Sequence, residues 1–152
     1  MKMKNLLLAA LLLFAAYEYF NNQHSSTVNE AQLSTSLHHS DNSDATIASA
    51  FSNHVSNLQV SGQGVVIKVL PDDNSGSRHQ KLIIKLASGQ TLLIAHNVDI
   101  APRLSSIHEG DTIQFNGEYE WSEKGGVLHW THRDPKGSHT AGWLKHQGQT
   151  YQ

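Results

Sequence analysis

The stretch Val65 to His96, VVIKVLPDDNSGSRHQKLIIKLASGQTLLIAH, decides the fold class. Val65 to Leu70 is β-branched and apolar, and Pro71-Asp72-Asp73-Asn74-Ser75-Gly76 stops it with turn formers. Gln80 to Leu86 then alternates, with Leu82, Ile84 and Leu86 on one face and Lys81 and Lys85 on the other. Ser88-Gly89-Gln90 turns the chain directly into Thr91 to His96, the pattern of a β-hairpin. A period of two over successive short runs is the mark of half-buried strands.

Outward from this core the pattern continues. Ala101 to Glu109 is a crossing connection containing Pro102. Gly110-Asp111 opens a fourth strand with Ile113 and Phe115 facing in, and Lys124-Gly125-Gly126 turns into a fifth, Val127 to His132. Five strands, glycines Gly62 and Gly64 in the first, and a hairpin between the second and third predict a small five-stranded barrel of the OB type. A simple sandwich of similar strand count is the alternative. Upstream, Asp44 is placed to cap a short helix with apolar positions Ile47, Ala48, Phe51 and Val55, ending near Asn57.

The N-terminus reads differently. Lys2 and Lys4 precede an unbroken apolar run from Leu6 to Ala16, the two parts of an export signal. The run is short of the roughly 20 residues of a membrane span. Cleavage after Ala16 would place bulky Phe14 near the bond, so a cleaved signal peptide and an uncleaved anchor both stay open. Residues 1–20 are therefore the export segment and the sole membrane contact. Residues 21–43, rich in Asn, Ser, Gln, Thr and His, form a polar tether, and 44–152 form the folded domain. The expected location is periplasmic, anchored on the periplasmic side of the inner membrane, or secreted. The chain has no cysteine, which excludes disulfides and thiolate metal sites.

From Val60 to Gln152 nine Lys/Arg stand against nine Asp/Glu. A neutral domain argues against non-specific nucleic-acid binding, which needs a basic excess. The outlier is histidine, of which there are 11.

The densest chemistry lies in Gly117 to Trp143, GEYEWSEKGGVLHWTHRDPKGSHTAGW. This run, with Pro71-Asp72-Asp73, Gly76 to Gln80 and Ser88 to Asn97, resembles a family of small exported bacterial proteins, domain of unknown function 3465. The resemblance covers about Val60 to Gln152 and implies no particular activity. Arg133 departs from it, standing where the family pattern has a second histidine before Asp134.

Two chemistries compete for these residues. Histidines near a carboxylate can hold zinc or another divalent transition metal. Strand alternation sets His129 opposite Leu128, which favours His132, Asp134 and His139 over a set containing His129, with His79 and His96 as further candidates. A metal-free variant uses His79 or His132 oriented by Asp134 for proton transfer, with Arg78 and Arg133 as anion contacts for a phosphoester. The other chemistry is binding. Trp121, Trp143 and Tyr119 are candidate stacking surfaces for an oligosaccharide, an oligonucleotide or an envelope protein, whereas Trp130, on the Leu128 face, is expected to be core. The Asp72-Asp73 pair suits calcium or, more simply, turn chemistry. A non-enzymatic binding module of the cell envelope leads these readings, and a histidine-centred metal protein, hydrolytic or structural, is the alternative.

Overall fold

The computed structural model describes residues 43–152. The expected export segment and the tether up to residue 42, with the His38-His39 pair, lie outside the described residues, and Ser43 belongs to the helix. The described chain is mainly β, with one helix and a seven-stranded sheet.

Helix α1 covers residues 43–52. It buries Ile47 and Ala50 at 0 and 4 % exposure; of the expected apolar positions Ile47 is buried, Ala48 and Phe51 are half-buried, and Val55, beyond the end of the helix, is 42 % exposed. Sealing one isoleucine side chain from water contributes about 2 kcal/mol toward holding so short a helix against the sheet. Asp44 adds a polar tie: its carboxylate accepts the Ser88 N–H at 2.9 Å, fastening α1 to the turn of the hairpin. His54 leaves the helix with φ 55°, a left-handed C-terminal turn.

Seven strands complete the domain: β1 (Leu58–Asp73), β2 (His79–Lys85), β3 (Thr91–Asn97), β4 (Thr112–Glu120), β5 (Val127–His129), β6 (Trp143–His146) and β7 (Gln149–Tyr151). Alternation sends Leu82 and Ile84 of β2, Leu92 and Ile94 of β3, and Ile113, Phe115 and Tyr119 of β4 into one core at 0 % exposure. The β2–β3 hairpin closes through Leu86 N–H to Gln90 O at 2.9 Å, with Gly89 at φ 89° supplying the left-handed residue.

The pairings make a circuit. β1 pairs with β2, β2 with β3, β3 with β5 in parallel, β5 with β4, and β4 back with β1. Strand β1 serves both neighbours because it bends near Val65, which is partnered by Lys85 on β2 and by Thr112 on β4. The crossing connection is pinned to β2 by Gln80, whose buried amide donates to Leu104 O at 2.9 Å and accepts from Leu104 N–H at 3.0 Å.

Two expectations change here. The fifth strand stops at His129 instead of running to His132, because Trp130 takes φ 51° and breaks the extended path. Two more strands, β6 and β7, form a hairpin around Gln147 and Gly148, whose φ values of 49° and 80° suit a two-residue turn.

Candidate metal-binding site

Because Tyr119 points into the core, its neighbours Glu118 and Glu120 must point out of it. The β4–β5 register sets His129 directly opposite Glu118, on the same outward face. His129 Nε2 lies 3.5 Å from Glu118 Oε1 and 3.8 Å from Glu120 Oε1. Both separations exceed a hydrogen bond, and the nitrogen is a buried atom with no hydrogen-bond partner. One ligand atom from each of the three residues lies within 4.8 Å of the other two.

The chain just beyond builds a wall beside this cluster. Strands β5 and β6 lie in line along the same side of β4, at Glu118↔His129 and Asn116↔Trp143, so residues 130–142 are an excursion from what is otherwise one strand. Its base is tight. Gly142 N–H donates to His132 O at 2.9 Å, and a Cβ on Gly142 would sit 2.0 Å from Trp130 O. A Cβ on Gly117, facing the gap, would sit 2.5 Å from His129 O. Only glycine lets the two limbs of the excursion close against β4 at these points.

Asp134 shapes the outer part of the excursion. Its carboxylate accepts from Lys136 N–H (2.9 Å), Ser138 N–H (2.6 Å), the Ser138 hydroxyl (2.8 Å) and His139 N–H (2.9 Å). These donors, led by Lys136 N–H, hold the carboxyl well below the usual carboxylate range. The loop it organises returns His139 over the cluster. His139 stacks on Trp130 with ring centroids 3.7 Å apart and planes at 15°, and its Nδ1 lies 3.6 Å from Glu118 Oε2.

The trio His132, Asp134 and His139 is therefore not assembled as three ligands. Asp134 is occupied by backbone amides, and His132 turns into the fold, 3 % exposed, with its Nδ1 2.8 Å from Arg133 O. His132 is beside His96 at 6.4 Å between centroids. His96 is at 0 % exposure and carries Nε2–H toward Pro102 O at 3.1 Å, which leaves Nδ1 to accept the Thr131 hydroxyl at 2.9 Å. Burial pulls its pKa down to about 4, so the ring is a neutral structural element. His79 has Nδ1 2.8 Å from Ser77 O at the start of β2.

Other named side chains are committed elsewhere or left at the surface. Arg78 is engaged by Asp99, Nε to Oδ1 at 2.6 Å, and Arg133 is exposed. Asp72 accepts from both terminal guanidinium nitrogens of Arg103, at 2.5 and 3.0 Å, and Asp73 accepts Ser75 N–H at 3.0 Å, which is ion pairing and turn chemistry. Among the aromatics, Tyr119 corrects the expectation of a stacking surface: it is 0 % exposed, its hydroxyl 3.3 Å from Gly125 O. Trp121 is half-buried, donating Nε1–H to Phe51 O at 3.1 Å with the His54 ring 4.3 Å away, a clasp on the segment leaving α1. Trp143 is half-buried at the start of β6. Trp130, expected in the core, is instead half-buried above the cluster, since its left-handed backbone breaks the alternation that put it on the Leu128 face.

Residues 29–152 match the family model described as Protein of unknown function (DUF3465). The chain belongs to the DUF3465 family. A search of curated proteins finds no match. The DUF3465 match covers α1, all seven strands and the excursion, so the cluster lies inside the family domain.

Sequence reasoning missed Glu118 and Glu120. Their signal was present in the alternation Glu118-Tyr119-Glu120, whose acidic members must share a face if the tyrosine is core. It also missed a second polar pair, His146 Nε2 with Asp111 Oδ2 at 3.0 Å, where His146 is 2 % exposed and its Nδ1 is a buried atom without a partner.

Chemically, two carboxylates facing one imidazole nitrogen make a mixed oxygen–nitrogen donor set. Such sets suit zinc and neighbouring divalent transition metals, which draw donors to about 2.0–2.2 Å.

Proposed function

We propose that this protein is an exported binding module whose ligand is a divalent transition metal, zinc foremost, held by Glu118, Glu120 and His129. The observation that carries the proposal is the buried Nε2 of His129, which makes no hydrogen bond and faces both glutamates from 3.5 and 3.8 Å. Strands β4 and β5 fix all three side chains on regular backbone, which gives a site more precision than loops do. The pairing circuit β1-β2-β3-β5-β4-β1, with its parallel β3–β5 contact, supports reading the scaffold as a small OB-like barrel. The basic start and the Leu6–Ala16 run support export to the periplasmic side, through residues 1–20 and a tether that ends where α1 begins at residue 43.

A metal-binding role fits better than a stacking platform, because Tyr119 lies in the core and Trp121 is held by backbone and side-chain partners. The test is isothermal titration of the purified, chelator-stripped protein with zinc, together with elemental analysis of protein isolated without chelators. A single zinc equivalent that vanishes in His129→Ala and weakens in Glu118→Gln and Glu120→Gln is the expected result. Absence of zinc uptake by the wild type, or equal uptake by His129→Ala, rules the proposal out.

A further inference from the structure

We infer that His139 and Trp130 position Glu118 for the cation, so that the 130–142 excursion sets the affinity of a site whose ligands all lie on β4 and β5. This inference rests on the metal reading above and adds to it the control of that site by the loop.

Glu118 is shared between two imidazoles through different oxygens. Oε1 faces His129, whereas Oε2 faces His139 Nδ1 at 3.6 Å. At 3.6 Å no hydrogen bond is formed, as for His129, but a small closure would bring an Nδ1–H onto Oε2 and fix the rotation of the carboxylate, with Oε1 left toward Glu120 and His129. Carboxylates that bind metals are ordinarily held in this way by a donor on the far oxygen. His139 does not join the three-residue ligand group, so in this geometry it acts on Glu118 and not on the ion.

His139 would be a poor positioner if its side chain were free, since it is 36 % exposed. Two contacts restrain it. Its ring lies flat on Trp130 at 3.7 Å and 15°, and its backbone N–H is tied to Asp134 at 2.9 Å. Trp130 in turn is the residue that diverts the chain at φ 51° and directly follows the ligand His129. The ligand, the stacking base and the positioner are thus linked over a short length of chain, and ordering the excursion orders Glu118.

The experiment compares zinc affinity and the visible spectrum of the cobalt(II)-loaded form in the wild type, His139→Ala, His139→Asn, Trp130→Ala and His129→Ala. The asparagine amide places an N–H near the Nδ1 position and so keeps the donor. The expected result is a zinc affinity at least about ten-fold weaker in His139→Ala, with the cobalt band pattern unchanged, because an outer partner is lost and no ligand is. His139→Asn restores most of the affinity, and Trp130→Ala loses it as His139→Ala does. Wild-type affinity in His139→Ala overturns the inference, as does a changed cobalt band pattern there, which would make His139 a ligand. Loss of binding in His129→Ala with none in His139→Ala removes this inference and leaves the metal site standing. A wild type that binds neither zinc nor cobalt removes both.

Discussion

His96 shows how a single residue is read differently once its surroundings are known. At the end of the Leu92–Ile94 face it is placed like a core residue, and the fold treats it as one, at 0 % exposure with both ring nitrogens bonded. Burial holds its pKa at about 4 against an ordinary 6.5. The unfolded chain therefore takes up this proton first as pH falls. Stability from the neutral ring is complete above about pH 6.5 and is lost between there and about pH 4, on the order of 3 kcal/mol at most. Urea unfolding from pH 7 to pH 4.5 should accordingly show a falling midpoint. His96→Gln, which keeps a donor toward Pro102 and cannot titrate, should show a flatter profile over the same range. Identical slopes for the two proteins would place the acid sensitivity elsewhere.

Among the elements, the 130–142 excursion is the one whose structure the sequence pattern hid. Asp134, a candidate ligand or orienting group by sequence, gathers three amides and a hydroxyl of its own loop. Asp134→Ala is therefore predicted to speed hydrogen exchange at the Lys136, Ser138 and His139 amides while β1–β4 keep their protection. The melting temperature should move by no more than about 3 °C, because the site is at the surface. Zinc affinity should weaken with the loop, as in His139→Ala, since His139 N–H is one of the bonds lost. Unchanged exchange at those amides would show that other contacts order the loop.

The same element marks where sequence reading succeeded and failed. Strands β2, β3 and β4 were legible because they alternate cleanly and are bounded by Ser88-Gly89-Gln90, Gly110-Asp111 and Lys124-Gly125-Gly126. The end of β5 was not, because Val127 to His132 contains no glycine or proline and a left-handed Trp130 has no signature in composition. Strands β6 and β7 are short, and their turn at Gln147-Gly148 was the available clue. For the site, the sequence pattern favours His132, Asp134 and His139, whereas the proposed cluster joins His129 to Glu118 and Glu120. Partners of His129 come from β4, and which residue of β4 faces it depends on register, a property of two strands that neither displays alone.

For the molecule as a whole, the decisive feature is that β1 belongs to two ladders. Residues 58–65 pair with β4 and residues 65–73 with β2, so the circuit of pairings closes through the bend around Gly64 and Val65. The bend packs backbone closely: a Cβ on Gly64 would lie 3.0 Å from Lys85 O and 3.0 Å from Ile84 Cδ1. This separates local preference from global demand. Valine is the better strand former by propensity, yet Gly64→Val must push its branched side chain against the β2 backbone. Overpacking of this kind costs about 1–3 kcal/mol, which for a domain of this size lowers the melting temperature by roughly 5 °C or more. The loss should also be shared. Because β1 joins both ladders, amides on β2 and on β4 should lose protection together in hydrogen exchange, while the β6–β7 hairpin, paired only to β4, follows β4. A Gly64→Val protein as stable as the wild type, or one that loosens β2 alone, would show that the two ladders are not coupled through this bend.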